Sequence, residues 1–177
     1  MSLQTDIQKA IKEASVQRLQ KACIDALGKT AENIVNDAKI ELRTKGAINN
    51  GGLVNSIFAQ PVTADLKVNI EAGAFYASFI EFGTRKFASQ HVGSLPAEWK
   101  DIASKTKGQS RGTFQDMVNS LTDWVEKKIP TDEDPEKVAR AIAISILRNG
   151  IRPRPYLYPA VVKNVNKFAQ ELDKVFK

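Results

Sequence analysis

The most constraining feature of the sequence is an aromatic stretch, Ala72–Thr84, that carries one acidic residue and ends at a glycine. Its aromatic side chains predict a place in the core, because burial of an aromatic ring removes much apolar surface from water. Glu81 must then be solvated, paired or hydrogen-bonded, since an isolated buried carboxylate is very costly. Gly83 suits a backbone position that a Cβ would strain. We therefore predict one short helix over Phe75–Phe82, entered from a strand and left through Gly83 and Thr84.

A long helix is predicted before this stretch. Apolar residues recur near the helical period from residue 4 to residue 44, the pattern of a helix with one buried face. Gly28 lies inside the pattern, and glycine costs about 1 kcal/mol relative to alanine in a helix interior. The segment is therefore either one long helix or two helices that meet at Gly28, with Thr30 capping the second. We expect it to lie over a sheet; the alternative is an N-terminal half that projects to a neighbouring subunit.

Two strands are predicted between this helix and the aromatic stretch. Residues 56–62 are rich in β-forming side chains, and Leu66–Glu71 alternates apolar with polar residues, which leaves one face of a strand exposed. A turn at Thr63–Asp65 would join the strands as an antiparallel hairpin. After the aromatic stretch, Arg85–Ala88 is predicted as a short strand. Together with a C-terminal helix that starts at Pro159, these elements indicate an α+β fold.

Residues 95–150 predict a helical insert. Thr113 and Asp116 have the spacing of a capping box, and Asp134 followed by Pro135 is typical of a helix start. Three apolar faces are expected to be buried, on the two helices that follow these starts and on the C-terminal helix. Their residues are Phe114, Met117, Val118, Leu121, Trp124 and Val125; Val138, Ala141, Ile142, Ile146 and Leu147; and Val162, Val165, Phe168, Ala169, Leu172 and Phe176.

The segment Ile151–Tyr156 is expected to be extended, because each of its prolines disfavours helical geometry in the residue before it. It is either a contact segment, since arginine and tyrosine are enriched at interfaces, or an edge strand beside the aromatic stretch. Its arginines, Arg152 and Arg154, together with Arg85, are the candidate partners of Glu81.

No constellation of catalytic or metal-binding residues stands out. The sequence has one cysteine and one histidine, and it lacks the common phosphate-binding, dinucleotide-binding, zinc-hydrolase and serine-hydrolase motifs. Cys23 is expected to be a buried apolar residue, and His91 has no partner pattern beside it. Helix capping explains the acidic run Asp132–Asp134 more simply than a cation does. We therefore expect no enzyme, no cofactor and no metal. No apolar run approaches the ~20 residues of a spanning helix, so no membrane contact is expected.

Three segments carry a resemblance to a known family. Residues 76–84, Tyr-Ala-Ser-Phe-Ile-Glu-Phe-Gly-Thr, resemble Tyr-Ala-x-x-Val-Glu-Phe-Gly-Thr of the tail-completion, or head-tail joining, proteins of long-tailed bacteriophages. Gly52–Ile57 is similar to that family's Gly-x-Leu-x-x-Ser-Ile, and Arg154–Ala160 resembles its Arg-Pro-Phe-Leu-x-Pro-Ala. The motifs follow the family's order, and the resemblance covers about residues 5–85 and 150–177. The matching positions are Leu53, Ser56, Ile57, Tyr76, Ala77, Glu81, Phe82, Gly83, Thr84, Arg154, Pro155, Tyr156, Leu157, Pro159 and Ala160.

The resemblance implies a structural virion protein of a phage or prophage neck, made in the bacterial host cytoplasm. It implies a ring of six copies between the head connector or adaptor and the tail terminator or tail tube, around DNA that it contacts at most non-specifically. One domain, 1–177, would comprise a family core, 1–89 plus 150–177, and a helical insert, 90–149. Two polar, glycine-bearing loops are candidate docking segments that gain order on contact. Their residues are Lys45, Gly46, Asn49, Asn50, Gly51 and Gly52, and Lys105, Lys107 and Arg111.

Two other functions remain open from the residues alone. The net charge of +6 fits a plain solvated surface, or weak attraction to phosphates. A non-specific nucleic-acid-binding module would use basic side chains of the insert and the extended segment, although aromatic interleaving is missing from those of the insert. A helical adaptor of the host, without phage origin, is the third possibility. The basic residues concerned are Lys105, Lys107, Arg111, Arg152 and Arg154.

Overall fold

The computed structural model describes residues 3–46, 51–74, 76–106 and 113–175, with side chains except those of 3–11, 13, 14, 174 and 175. The described residues form eight helices and two strands, which confirms the α+β class. The helices are α1 (Leu3–Thr44), α2 (Gly52–Asn55), α3 (Ala77–Phe82), α4 (Arg85–Gly93), α5 (Ala97–Thr106), α6 (Phe114–Lys128), α7 (Pro135–Asn149) and α8 (Leu157–Val175), and the strands are β1 (Ile57–Ala59) and β2 (Ile70–Ala72).

The chain forms two compact units. The first comprises Met1–Glu41, Ile57–Ala72 and Tyr156–Lys177, and the second comprises Leu42–Ser56 and Gly73–Pro155. The first unit thus contains most of α1, the β1–β2 hairpin and α8. The second contains α2 to α7 and the segment that precedes α8. The division into a family core and an insert that the sequence suggests stays a prediction.

In the first unit, α1 is continuous across Gly28, so the two-helix alternative is wrong. Thr30 does not cap a second helix, because its Oγ1 donates to the carbonyl oxygen of Ala26 one turn earlier, at 2.8 Å. A Cβ at Gly28 would meet only Cγ2 of Val62, at 3.8 Å, which is ordinary contact. The glycine therefore lowers helix propensity without interrupting the helix.

Burial changes along α1. Its later turns bury one stripe of side chains, whereas every residue of 15–21 is exposed. Val16 and Leu19 lie three positions apart and are 55% and 41% exposed. Cys23, at the transition, is half-buried rather than buried as predicted. The exposure of 15–21 favours the alternative of a projecting N-terminal half. The buried stripe consists of Ala31, Ile34, Val35 and Ala38.

β1 and β2 pair antiparallel, with Ile57 opposite Ala72, so the hairpin is confirmed. Its strands are shorter than predicted, because Leu66 belongs to the turn. Leu66 has a φ of 57°, and its amide donates to the carbonyl oxygen of Thr63 at 3.0 Å. A residue in that conformation cannot continue the alternation of a strand, and the side chain of Leu66 is 40% exposed.

A polar cluster links α8 to α1, and it was not predicted from the sequence. The amide nitrogen of Asn164, a residue only 1% exposed, donates to Oδ2 of Asp37 at 2.7 Å and to the carbonyl oxygen of Ala160 at 2.8 Å. Nζ of Lys163 donates to Oδ1 of Asp37 at 2.8 Å. The hydrogen bonds from Lys163 and Asn164 lower the pKa of Asp37 below its usual value.

The predicted apolar face of α8 is only partly right, because Phe168 and Leu172 are half-buried whereas Val162, Val165 and Ala169 are exposed. Val162 and Val165 are 47% and 52% exposed, while Ala160 and Asn164 are buried. The buried face follows Ala160 and Asn164, four positions apart, because Asp37 on another element satisfies the asparagine amide there. Phe176 lies outside the described residues.

In the second unit, α6 and α7 begin as predicted. Oγ1 of Thr113 accepts from the amide of Asp116 at 3.2 Å, and the amide of Thr113 donates to Oδ2 of Asp116 at 2.7 Å, which completes a capping box. This backbone hydrogen bond lowers the pKa of Asp116. Oδ1 of Asp134 accepts from the amide of Glu136 at 3.0 Å, with Pro135 as the first residue of α7.

α6 and α7 pack against each other through one apolar cluster, which confirms the predicted face of α6 except for Phe114, which is 37% exposed at the first turn. On α7 the buried face is displaced from the predicted one, because it follows the small residues Ala139 and Ala143. Ala141 is exposed, and Leu147 is 48% exposed. The cluster consists of Val118, Val125, Ala139 and Ala143, with Met117, Leu121, Trp124, Ile129, Val138 and Ile142 around them.

Arg85–Ala88 is the first turn of α4 rather than the predicted strand. Thr84 is the extended N-cap, and its carbonyl oxygen accepts from the amide of Ala88 at 3.3 Å. No β-branched residue occurs from Arg85 to His91, so the local sequence does not oppose a helix.

We predict that Asp37→Ala lowers the free energy of unfolding by roughly 1–3 kcal/mol at pH 7, because the buried Asn164 amide loses its acceptor. The deficit should shrink as the pH falls below about 4. A carboxylate with a lowered folded pKa stabilises the fold above its unfolded pKa and loses this effect as it is protonated. Urea unfolding at pH 7 and pH 3 tests both points. Asp25→Ala, at an exposed pair with Lys21, is the matched control, and an equal effect there would contradict the assignment.

Candidate functional site

Parts of all three sequence motifs come together in the second unit, in what we call the motif junction: residues 52–56, 73–84 and 150–155. Ser56 joins the first motif to the start of the aromatic stretch, just before the second motif. Its Oγ donates to the carbonyl oxygen of Leu53 at 2.9 Å and accepts from the amide of Ala74 at 3.1 Å, and its carbonyl oxygen accepts from the amide of Gly73 at 3.0 Å. The motif serine therefore fixes backbone and has no free hydroxyl for chemistry.

Hydrogen bonds join the second motif to the third motif and to the residues that precede the third motif. The amide of Thr84 donates to the carbonyl oxygen of Ile151 at 3.0 Å, and the amide of Ile151 donates to Oγ1 of Thr84 at 2.8 Å. The amide of Arg154 donates to the carbonyl oxygen of Ile80 at 2.7 Å. The extended geometry predicted for 151–156 is confirmed. The segment runs beside α3 without forming a strand, so the edge-strand alternative is wrong.

Two glycines permit this close approach. A Cβ on Gly83 would lie 2.8 Å from the carbonyl oxygen of Ile151 and 2.9 Å from Cδ of Pro153. A Cβ on Gly150 would lie 2.6 Å from the carbonyl oxygen of Thr84. Both glycines also have positive φ, 75° and 87°, which side chains disfavour. The predicted role of Gly83 as a position that excludes a side chain is confirmed.

α3 presents the buried face of the aromatic stretch, as predicted. Ala77, Glu81 and Phe82 are 7%, 3% and 6% exposed. The rings of Phe82 and Trp99 lie 6.3 Å apart between centroids, at 58°. Tyr76 is the N-cap of α3, while Phe75 lies outside the described residues.

The arginines proposed as partners of Glu81 make other contacts. The guanidinium of Arg154 donates to the carbonyl oxygen of Gly46 at 3.1 Å, and Cζ of Arg152 lies 5.4 Å from the centroid of the Phe87 ring. Arg85 has a φ of 54° at the start of α4 and is exposed. The structure therefore confirms that Glu81 is a core acid and does not support arginine pairing.

The motif residues that fall in the first unit are packing residues. Ile57 on β1, and Tyr156 and Ala160 at the start of α8, are each 1% exposed. Leu157 is the first residue of α8, and Pro159 lies in its first turn, where a proline costs no hydrogen bond.

The predicted docking loops are described only in part. Lys45 donates to the carbonyl oxygen of Pro155, and Gly51, with a φ of 80°, precedes Gly52 at the start of α2. Lys105 pairs with Asp101 at 2.6 Å, so its charge is offset within α5. The remaining predicted loop residues, Asn49, Asn50, Lys107 and Arg111, lie outside the described residues. Their role in docking stays a prediction.

The described residues do not assemble a reaction centre. They contain no group of three potential metal ligands. Nε2 of His91, on α4, is enclosed without a hydrogen-bond partner among them, whereas a general base needs a substrate or an orienting group within reach. A groove of about 320 Å³ in the first unit has only two charged residues, Glu32 and Lys39, in its lining. Within the described part of the chain, no helix has the length and apolarity to cross a membrane.

Comparison with known proteins identifies the family of the N-terminal part. Residues 5–83 match the model of a family described as "Bacteriophage HK97-gp10, putative tail-component". This segment is similar to the HK97-gp10-like family. The matched range holds the first motif and most of the second, so the resemblance to phage tail-completion proteins is confirmed there. The family indicates a structural component of a phage tail, located in the virion with other virion proteins as partners. No curated protein and no solved structure matches the chain.

Some structural residues were missed by the sequence reading. Gly150 is the C-cap of α7. Its position also excludes a side chain, because a Cβ there would lie 2.6 Å from the carbonyl oxygen of Thr84. Trp99 was assigned to the insert, yet its ring lies in a tilted arrangement against Phe82 of the second motif. An aromatic ring in the first turn of a helix does not reveal which element the ring will contact.

We predict that Gly83→Ala lowers the free energy of unfolding by at least roughly 1–3 kcal/mol, because the new Cβ would overlap Ile151 and Pro153. Gly93→Ala is the matched control: a Cβ there would meet nothing within 4 Å. Thermal and urea unfolding of the two variants measure the difference. Equal stability of the two variants would show that the two motifs do not approach as closely as described.

Proposed function

We propose that the protein is a tail-completion, or head-tail joining, protein of a phage or prophage neck. It assembles as a ring of six copies between the head connector or adaptor and the tail terminator or tail tube. The family match over residues 5–83 supports a tail component. The observation that carries the more specific proposal is the contact between the second and third motifs, in which the amide of Arg154 donates to the carbonyl oxygen of Ile80 at 2.7 Å.

The chemistry of the motif junction supports a structural role. Its serine, threonine and glycines hold backbone segments together, while Phe82 is buried and Tyr76 and Phe79 are half-buried. A catalytic site needs polar groups that converge on a space where a substrate fits, with a nucleophile and a base within reach of each other. The junction instead joins three chain segments into a rigid wall. That geometry supports the proposal of a structural, non-enzymatic function.

The exposed part of α1 supplies a surface for a neighbouring copy. Val16 and Leu19 share one face of the helix, and apolar side chains left in water at helical spacing favour association through that face. A head-to-tail contact of this kind generates a ring when its rotation closes. We therefore place the copy-to-copy contact of the ring on residues 15–21 of α1.

Inactivation of the gene in the phage or prophage that encodes this chain is the primary test. DNA-filled heads and complete tails should accumulate without joining, and the purified protein should restore joined particles when it is added to such a lysate. Electron microscopy counts the joined particles, and gold-labelled antibody should mark the head-tail junction of intact virions. Label along the tail tube or at the tail tip, or normal joining without the protein, would contradict the proposal.

We predict that Glu81→Gln lowers thermal stability and the yield of joined particles. The buried carboxyl group offers two acceptor oxygens, and an amide replaces one of them with a donor. Such a mismatch costs roughly 1–3 kcal/mol. Glu98→Gln, at an exposed acid in the first turn of α5, is the matched control. A Glu81→Gln protein that melts and joins particles like the wild type would show that the carboxyl is not required in the core.

We predict that the double substitution Val16→Asp and Leu19→Asp abolishes complementation without lowering the unfolding temperature, because both side chains are already exposed. Aspartates on that face would oppose its burial against a second copy. The control is Gln17→Asp with Gln20→Asp, which adds the same charge to the same turns on another face. Equal complementation by the two double variants would remove α1 from the ring contact.

A further inference from the structure

A basic cluster surrounds one aromatic ring in the second unit. We call it the Phe87 patch, and it consists of Arg85, Lys86, Phe87 and Arg152. Nζ of Lys86 lies 5.2 Å from the centroid of the Phe87 ring, and Cζ of Arg152 lies 5.4 Å from it. Phe87 is half-buried, whereas the three cationic residues are exposed. The ring thus holds two cations near each other at the surface, through attraction to its electron-rich face.

The positive charge of the patch is not balanced within the described part of the chain. Other cations there form ion pairs, such as Lys105 with Asp101 and Arg140 with Glu136. Among the described residues, none of the three cationic side chains of the patch has an acidic partner within 4 Å. The first turn of α4, which carries Arg85 and Lys86, contains no acid. The positive end of the helix dipole lies at this first turn and adds to the positive potential of the three cations. Acidic residues are the usual occupants of such a turn.

The fold, rather than the local sequence, builds the patch. Arg152 is brought beside α4 by the hydrogen bonds between Thr84 and Ile151 and by the absence of a side chain on Gly150. Arg85 has a positive φ of 54°, an uncommon conformation for a long side chain. Because hydrogen bonds hold the backbone of both segments, little backbone freedom is lost when the cations meet a partner.

We propose that the Phe87 patch contacts the phosphate backbone of double-stranded DNA without regard to sequence. Protein interfaces have an apolar centre from which charges are depleted. None of the exposed large hydrophobic side chains of the described residues lies in 84–93 or 150–155, so the patch lacks such a centre. Exposed, unpaired arginine and lysine side chains instead match phosphates, which such residues neutralise with release of counterions. The biological setting rests on the proposed neck location, where DNA passes through the ring.

Binding of the purified full-length protein to a fluorescent 30-base-pair duplex tests this proposal, with anisotropy measured across a salt series. The wild type should bind at low salt, and log Kd should rise linearly with log salt concentration. Lys86→Gln with Arg152→Gln should weaken binding and reduce the salt slope by about two, since each lost phosphate contact removes about one. Lys86→Arg should retain binding, because it keeps the charge.

The control double variant is Lys127→Gln with Lys128→Gln, at exposed lysines in the last turn of α6, which removes the same net charge elsewhere. It should keep most of the wild-type affinity. An equal loss in both double variants, absence of wild-type binding at low salt, or binding to polyglutamate in preference to DNA would each overturn the patch assignment. This assay uses isolated protein and needs no ring. A failure here leaves the neck location standing, and a failure of particle joining leaves the DNA result standing.

Discussion

The close approach of the chain to itself at Gly83 and Gly150 is the constraint on which the second unit depends. At each glycine a side chain would come within 3 Å of a carbonyl oxygen across the junction, at 2.8 and 2.6 Å. Because neither has one, Thr84 and Ile151 form two hydrogen bonds and Arg154 bonds to Ile80. These bonds fix the exit of α3, the start of α4 and the extended segment after α7 as one arrangement. The buried aromatic face of α3 and the exposed cations of the Phe87 patch both follow from it.

Much of the local structure was predictable because its signals are contained in neighbouring residues. The capping box of Thr113 and Asp116, the start of α7 at Asp134 and Pro135, and the glycine end of α3 each depend on a few adjacent positions. Proline chemistry likewise fixes the extended segment before α8. Tertiary context decides the remainder. Leu66 fits the alternation of a strand and lies in the turn, because hydrogen bonds between residues 63 and 67 extend that turn.

The buried faces of helices show the same limit. An apolar pattern allows α8 to bury Val162 and Val165, yet the structure buries Asn164, since Asp37 offers its amide an acceptor. No local pattern in α8 reveals an acceptor on α1. The strand predicted for Arg85–Ala88 was wrong for a similar reason. Thr84 is the N-cap of α4, and its hydroxyl accepts a hydrogen bond from the amide of Ile151, a residue far away in the sequence. Of the candidate site, the motif positions were predictable, while the contacts between motifs and the Phe87 patch depend on residues far apart in sequence.

The residues of the three motifs determine the local backbone arrangement, whereas contacts with partners are left to other residues. The motif residues serve backbone geometry, as Ser56, Gly83 and Thr84 do, or burial, as Ile57 and Ala160 do. Side chains committed to these tasks are not available to partners. Recognition must therefore come from residues outside the motifs, and the exposed ones fall into two chemical kinds. Val16 and Leu19 suit an apolar protein neighbour, whereas the cations around Phe87 suit a polyanion. The proposed ring around DNA would use both kinds of surface, the apolar one for a neighbouring copy and the basic one for the duplex.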